Sequence, residues 1–453
     1  MSLQVLSAQD SHETLDPDIG KTGRFDSRTR YTWLHAEQYL RANWRSEAWI
    51  GNTELSSDRI GAINNPNIAI GQVSDYRRAN IWDAQLRFYG PLGSAHQLEW
   101  GVNWSAADAD YKYHSAVNFG TGVAQLFARP TTVVGDALLS PYRRDTSVYV
   151  SDRWQILPRL VAEIGVRTQH ACGLELAPHD SQDPRLLMSF ALRSTTQMFA
   201  SWGVFHQADE VLDLDVTDGL RRFSPPQRSE HRILGIQYHS SEGITLRAEA
   251  YRKAQTSPRR RYESYFDPLG ALPELTPDRV LVAPTHSEMH GVELSSAFAK
   301  GAFSTRLSYG WSRVYDDIRG MDVPRSWNQA HTIDAIVQWQ RGLWSASAAL
   351  NVHSGWPTTP LLTLPGGNAQ LAARNSSTES LFQSLDLRMV YHQNIQHGAL
   401  VYTVDVANAL NHDNHCCADI VRSKTSPGAN SLSVQESLPW LPRIPSFGVR
   451  WEF

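Results

Sequence analysis

The sequence predicts an all-β chain, a transmembrane antiparallel β-barrel, on three observations. Apolar and polar residues alternate with period two from about residue 32 to the C-terminus. The alternating runs are about 9 to 14 residues long, the length needed to cross a bilayer at a tilt. The segments between runs are short and long by turns.

The alternation is clearest where Trp344, Ala346, Ala348, Leu350 and Val352 oppose Ser345, Ser347, Ala349 and Asn351. Leu385, Leu387, Met389 and Tyr391 alternate with Ser384, Asp386, Arg388 and Val390. Leu400, Tyr402, Val404 and Val406 alternate with Val401, Thr403, Asp405 and Ala407. Leu160, Ala162, Ile164 and Val166 oppose Glu163, Gly165 and Arg167, and Leu98, Trp100, Val102 and Trp104 oppose Gln97, Glu99, Gly101 and Asn103. Successive side chains of a strand point to opposite faces, so one face wants apolar surroundings and the other accepts water. Helical stripes at i, i+3 and i+4 are scarce.

A soluble sandwich or propeller would alternate in the same way, so length and rhythm decide. Soluble strands usually run about 5 or 6 residues. Traced back from the C-terminus, long links at 412–445, 354–377, 317–327, 257–285, 207–227, 171–183, 115–144 and 57–77 alternate with short ones at 393–396, 340–341, 300–301, 240–242, 194–195, 156–158 and 91–94. Short turns on one side and long loops on the other belong to a transmembrane barrel. A propeller would repeat at about 40 to 50 residues.

Composition agrees. Across 453 residues nothing shifts enough to mark a linker, and a formal charge of -4 leaves no basic stripe for nucleic acid. Fifteen tryptophans and 16 tyrosines stand in a chain of negative mean hydropathy, a combination suited to membrane interfaces. No window approaches the roughly 20 apolar residues of a spanning helix. The first twenty residues lack the basic and apolar regions of a secretory signal. Cys172, Cys416 and Cys417 form no regular framework and read as loop cysteines.

Several segments resemble the TonB-dependent outer-membrane receptor family. The ending Pro442-Arg443-Ile444-Pro445-Ser446-Phe447-Gly448-Val449-Arg450-Trp451-Glu452-Phe453 is similar to the family's last strand, with Phe447, Val449, Trp451 and Phe453 as the alternating apolar set. Val150-Ser151-Asp152-Arg153-Trp154 followed by Ile164-Gly165-Val166-Arg167 resembles one barrel hairpin. Asp183-Pro184-Arg185 followed by Phe199-Ala200-Ser201-Trp202-Gly203 resembles the next. Ser224-Pro225-Pro226-Gln227-Arg228-Ser229 resembles a Pro-Glu-x-Ser motif with Gln227 for Glu, and Gly291-Val292-Glu293 a strand opening. Pro324-Arg325 with Asn328-Gln329 and His331 resembles Pro-Arg…Asp-Gln…His with Asn328 for Asp, and Asn408-Ala409-Leu410-Asn411 the end of the penultimate strand. The resemblance covers residues 145–453 in the family's order.

It implies a bacterial outer-membrane location. It implies as partners the lipid, the barrel-assembly machinery reading the C-terminal signal Phe447, Val449, Trp451 and Phe453, and a small-molecule ligand whose identity is not legible. TonB enters only if a plug and TonB box are supplied elsewhere, and no cofactor is implied. Full-length relatives import ferric siderophores, cobalamin or glycans.

Residues 1–31 are too few and too polar for a plug and read as the remnant of an extracellular loop, ahead of a barrel over 32–453. If 446–453 runs toward the periplasm, so does the first expected strand, about 32–44. The count is roughly 17 strands, an odd number that cannot close antiparallel. The expectation is an incomplete barrel, about 17 strands of a roughly 22-stranded parent, inactive by itself. Its open edges would leave unpaired backbone groups in hydrocarbon at several kcal/mol each. The alternatives are a plugless porin-like channel and a soluble all-β binding protein.

No P-loop, GxSxG, HExxH or dinucleotide fingerprint is present, so no enzyme is expected. Glu163, Asp334, Asp386 and Asp405 read as lumen carboxylates with arginine partners. His412, His415, Cys416 and Cys417 lack the spacing of a metal site. Arg259, Arg260, Arg261 and Tyr262 concentrate positive charge in a long loop, where they either attract an anionic ligand or form a solvated face. Trp44, Trp100, Trp339 and Trp451 read as girdle or lipid-facing residues.

Overall fold

The structure, a computed structural model, describes residues 1–17, 19–173, 176–266, 270–364, 369–415, 418–426, 429–436 and 440–453. Alternation of the kind seen in the sequence builds strands that pair in chain order. These are β1 (Ser2–Asp16), β2 (Lys21–Tyr39), β3 (Arg45–Asn65), β4 (Ala69–Leu92), β5 (His96–Phe119), β6 (Tyr142–Leu157), β7 (Leu160–Gly173), β8 (Leu176–Arg193) and β9 (Thr196–Gln207). They continue with β10 (Gln227–His239), β11 (Ile244–Thr256), β12 (His286–Lys300), β13 (Phe303–Ile318), β14 (His331–Arg341), β15 (Trp344–His353), β16 (Phe382–Ile395), β17 (Gly398–Ala407) and β18 (Ile444–Glu452). The main sheet holds 20 strands; Thr132–Leu139 and Met321–Pro324 are short pieces beside the tips of β5 and β13, which leaves 18 positions round the sheet. Every pairing is antiparallel between chain neighbours, and among the described residues β1 and β18 keep a free outer edge.

Register sorts the two faces. Phe88, Trp100, Val150 and Val166 stand side by side across β4 to β7, and Leu294, Tyr309, Ile333 and Val352 across β12 to β15. Three residues away in register from the first of these rows run Gln85, Asn103, Ser147, Gln169 and Ser181, and one residue away from the second run Arg247, Ser295, Ser308, Asp334, Asn351 and Ser384. The first rows form the outer face and the second the inner. Ala346, Ala348 and Leu350 fall outward and Ser345, Ser347 and Asn351 inward, as the alternation predicts.

The short turns lie close to their expected places, at 93–95, 158–159, 194–195, 240–243, 301–302, 342–343 and 396–397. Gly301 and Gly342 have φ of +60° there, a left-handed conformation that the tight turn requires and a side chain resists.

Three expectations need correction. The segment 1–31 is no loop remnant: β1 and most of β2 occupy it, paired from Ser2 with His35 to Asp16 with Lys21. The first strand is therefore not 32–44, and residues 40–44 form a turn. Among the described residues there are 18 positions against the roughly 17 expected, so the argument from an odd count lapses. The expected long link 57–77 is the paired continuation of β3 and β4 around a turn at 66–68, and β7 and β8 likewise run through most of 171–183. The physical reason is visible on the outer face. In the upper halves of β2 to β5 the outward row Asp26, Asp58, Tyr76 and Lys112 and the row Arg28, Ser56, Arg78 and Asp110 are polar. These strands rise past the apolar band, so the alternation that marks a lipid-crossing strand is lost.

Charge placed on the outer face should be costly and on the inner face cheap. Ala348→Arg is expected to destabilise the sheet by about 2–4 kcal/mol, as for an arginine near the midplane of a membrane barrel, and Ser347→Arg by much less. Denaturant unfolding in detergent checks the difference; equal costs refute the assignment of faces.

Candidate functional site at the long-loop mouth

The connection 257–285, between β11 and β12, reaches across to the inner wall of β2 to β5. Its Leu272 and Leu275 are each 1% exposed, in a core with Ile63, Val73, Tyr111, Tyr113, Val117 and Phe119. Leu272 sits where Gly23 and Gly61 face each other across β2 and β3; a Cβ on Gly61 would stand 2.6 Å from the leucine methyls. The two glycines form a socket for this one side chain. The connection 208–226 adds Val211, Leu214, Val216 and Phe223 to the same core.

Half-buried arginines hold these connections down. Arg59 on β3 donates to Glu274 at 2.7 and 2.5 Å and to Asp75 on β4 at 2.9 Å. Arg77 grips Asp75 at 2.9 Å, donates to the carbonyl of Leu212 at 2.8 Å, and lies over the Tyr111 ring. Tyr111 donates to the Val211 carbonyl at 2.9 Å, and Thr217 to Glu274 at 2.9 Å. Arg279 bonds Asp218 at 2.5 Å and Asp215 at 3.3 Å. Arg129, from the connection after β5, donates to the Thr276 carbonyl at 3.0 Å. A charge withdrawn from water is tolerable only with such partners.

On its other side the 257–285 connection joins two more. Arg261 pairs with Glu263 and, at 2.5 Å, with Asp316 on β13; Asp316 also takes Arg325 at 2.7 Å. Arg374 pairs with Glu263, and Asn375 donates to Ser326 at 3.1 Å. Burial alone would raise the Glu263 carboxyl, but Arg261 and Arg374 hold it below its ordinary value. Burial, with Asp218 beside it, pushes the Asp215 carboxyl up to about 6 against the pull of Arg279.

A second feature is aromatic. Trp327, His353, Trp356, Phe382 and Trp440 gather at the mouth above β14 to β16. Trp327 meets Trp356 edge-on at 5.3 Å, Trp440 meets Trp356 at 6.2 Å and Phe382 at 6.1 Å, and His353 stacks on Phe382 at 4.5 Å. His353 and Phe382 pair across strands in a row with the inward Thr332. Trp327 is 39% and Trp440 45% exposed. Below, a groove of about 500 Å³ on the inner wall is lined by Arg247, Glu249, Tyr251, Glu293, Ser308 and Asp334.

Of the loop residues singled out in the sequence, Arg259 pairs with Asp209 at 3.3 Å and Asp213 at 3.4 Å, Arg261 is in the buried network, Tyr262 lies under Arg279, and Arg260 is exposed. The run is thus mostly neutralised within the roof of connections. Gln227 accepts from Gln255 at 2.6 Å and from the Arg259 backbone at 3.0 Å, while Asn328 Oδ1 is buried without a hydrogen-bond partner. Phe447, Val449 and Trp451 align on one face of β18 opposite Val404, Tyr402 and Leu400, and Phe453 is exposed beyond them. Among the lumen carboxylates Asp405 meets Arg388 at 3.5 Å, whereas Asp334 takes Asn351 and Asp386 takes Ser384 and the Asn408 backbone. Cys172 is free; Cys416 and Cys417 lie outside the described residues. Among the described residues no cluster of histidine, cysteine and carboxylate could hold a metal ion.

No family model matches the sequence, and no curated protein does either. Solved structures do match. The siderophore receptor PiuA from Acinetobacter baumannii superposes with a TM-score of 0.65 at 10% identity, over 99% of this chain and 71% of that one. The fold is that of the TonB-dependent receptor barrel. The same receptor barrel is seen in the ferripyoverdine receptor of the outer membrane of Pseudomonas aeruginosa (TM-score 0.63, 13% identity, 95% of this chain and 57% of that one). It is seen again in BauA, the ferric preacinetobactin receptor from Acinetobacter baumannii (0.62, 11%, 95% and 64%). The chain thus spans less than two thirds of the length of two of these three receptors.

Two outcomes test the roof described above. Gly61→Leu fills the socket, so Leu272 should leave it and residues 270–279 should lose hydrogen-exchange protection while β14 to β17 keep theirs; unchanged protection at 270–279 refutes the socket. The raised Asp215 carboxyl favours its neutral form when folded, so its contribution is present near pH 4 and is lost as pH rises through about 6. Exchange of residues 208–226, corrected for the intrinsic rate, should be slower at pH 5 than at pH 7.5, with an upper bound of about 1.4 kcal/mol between those two pH values. Asp215→Asn should remove the difference, and faster exchange at pH 5 would contradict it.

Proposed function

We propose that this chain forms the wall and loop roof of an outer-membrane receptor for a scarce nutrient of the ferric-siderophore kind. One observation carries the reading. The inner face is polar from strand to strand, the outer face is an apolar band, and the roof of long connections brings arginines and aromatic rings together over the lumen. A soluble sandwich would bury one of these faces in a dry core, whereas Leu246, Leu294, Leu307, Leu387 and Met389 stand exposed outward. The neighbours whose titles name siderophores support the ligand class.

The long-connection end then faces the medium and the short turns the periplasm. The partners proposed are lipid along the apolar band and the barrel-assembly machinery at Phe447, Val449, Trp451 and Phe453. TonB is a partner where a plug and a TonB box are supplied in addition to the elements described. Catalysis has no part in this reading: the buried carboxylates Asp75, Glu263, Glu274 and Asp316 are spent on arginines that hold the roof.

Outer membranes from cells expressing the chain should keep it after an alkaline carbonate wash, and cells should gain uptake of a ferric siderophore when plug and TonB box are present. Phe453→Ala should lower the folded, membrane-embedded yield several-fold without altering synthesis. A folded monomer recovered without detergent overturns the proposal.

A further inference from the structure

Alternation along a strand leaves one freedom in its register. A slip of one residue against a neighbour exchanges the two faces, but a slip of two keeps polar residues inward and apolar residues outward. Such a slip moves one strand about 7 Å along the other, at roughly 3.4 Å per residue. The hairpin of β9 with β10 and that of β11 with β12 can tolerate it least. They carry the connections 208–226 and 257–285, and from the second of these Leu272 has to reach the hollow between Gly23 and Gly61 on the far wall.

Each of these hairpins holds an aromatic ring against a glycine on its inner face. Phe199 on β9 pairs with Gly235 on β10, and Tyr251 on β11 pairs with Gly291 on β12. The rings lie down over the strand opposite: a Cβ on Gly291 would stand 2.7 Å from the Tyr251 hydroxyl, and one on Gly235 would overlap the Phe199 ring. Both glycines are buried and both rings half-buried. A cation packs on each ring, Arg247 reaching Phe199 at 4.8 Å from β11 and Lys253 lying 5.1 Å from Tyr251. Glycine weakens a strand, and a ring laid over it restores the lost packing. The covering is no general consequence of an inward glycine, because a Cβ on Gly310 of β13 or Gly448 of β18 would meet nothing within 4 Å.

We propose that Phe199 and Tyr251, seated on Gly235 and Gly291, are positioning residues that exclude the two-residue slip and so aim the 208–226 and 257–285 connections at the far wall. A slip of two would set Phe199 against Ile233 or Gln237 and Tyr251 against Met289 or Glu293, whose side chains take the space that each ring uses. The first joint fixes β9 to β10 and, through Arg247, to β11; the second fixes β11 to β12. The four strands then carry one register, and Leu272 and Glu274 arrive opposite their partners on β2 to β4. This concerns the placement of the roof and requires no ligand.

The test is hydrogen exchange on the whole chain folded in detergent. Gly235→Ala should lower protection of 208–226 about tenfold and Gly291→Ala that of 270–279, while β14 to β17 keep theirs. The signature of a seated ring is non-additivity. Once Phe199→Ala has emptied the first joint, adding Gly235→Ala should cost nothing more, and the same should hold for Gly291→Ala added to Tyr251→Ala. Tyr251→Phe keeps the ring and should match the parent, and Gly310→Ala, at an uncovered glycine, should leave the roof as it was. Where a glycine variant does not fold, Phe199→Leu and Tyr251→Leu give the same reading, since they stay apolar but lose the flat ring. Roof protection unchanged in the variants that empty or fill the joints, losses that add in the double variants, or an equal loss across β14 to β17 would each overturn the proposal.

Discussion

The ladder of backbone hydrogen bonds between chain neighbours is the constraint on which everything else rests. In hydrocarbon a strand has no water to satisfy its N–H and C=O groups, so each must be paired by the next strand. That pairing fixes register, and a slip of one residue would turn the polar inner rows outward. With Gln85, Asn103, Ser147, Gln169 and Ser181 aligned inward, Phe88, Trp100, Val150 and Val166 must meet lipid. The free edges at β1 and β18 are where the ladder stops among the described residues.

Above the apolar band the balance changes. Water is available there, and the strands β2 to β5 carry charges on their outer face. Their inner face is instead covered by chain from the far side of the sheet. The 257–285 connection is the common member of this roof: Leu272 and Glu274 join it to β2 to β4, Arg261 and Glu263 to the connections after β13 and β15, and Phe266 packs with Phe127, Leu361 and Leu371. Apolar anchoring and charge pairing alternate along it, so neither alone determines its position.

The fold was legible wherever lipid imposes a rule. Alternation over Trp344–Val352 and the spacing of the short turns follow from one apolar face and from glycine in tight hairpins. Where lipid does not reach, the sequence was silent: β1 and the tips of β3 and β4 are largely polar on their outer face and read as loop. The site was less legible still. Glu274 and Arg59 are more than two hundred positions apart, and no local pattern announces their contact. Trp327, Trp356 and Trp440 did leave a signal, since they fall within expected links rather than in alternating runs, but only the pairing of β13 to β18 side by side gathers them. Arg259 and Arg261 looked like free positive charge because their partners Asp209 and Asp316 are remote in sequence.

The separation of Arg59 from Glu274, 215 residues, has a consequence for how the molecule comes together. Loop closure over such a distance is unfavourable until the strands between are in place. The contact of Arg59 with Glu274 therefore consolidates only after β4 to β11 are in place, with both side chains hydrated until then.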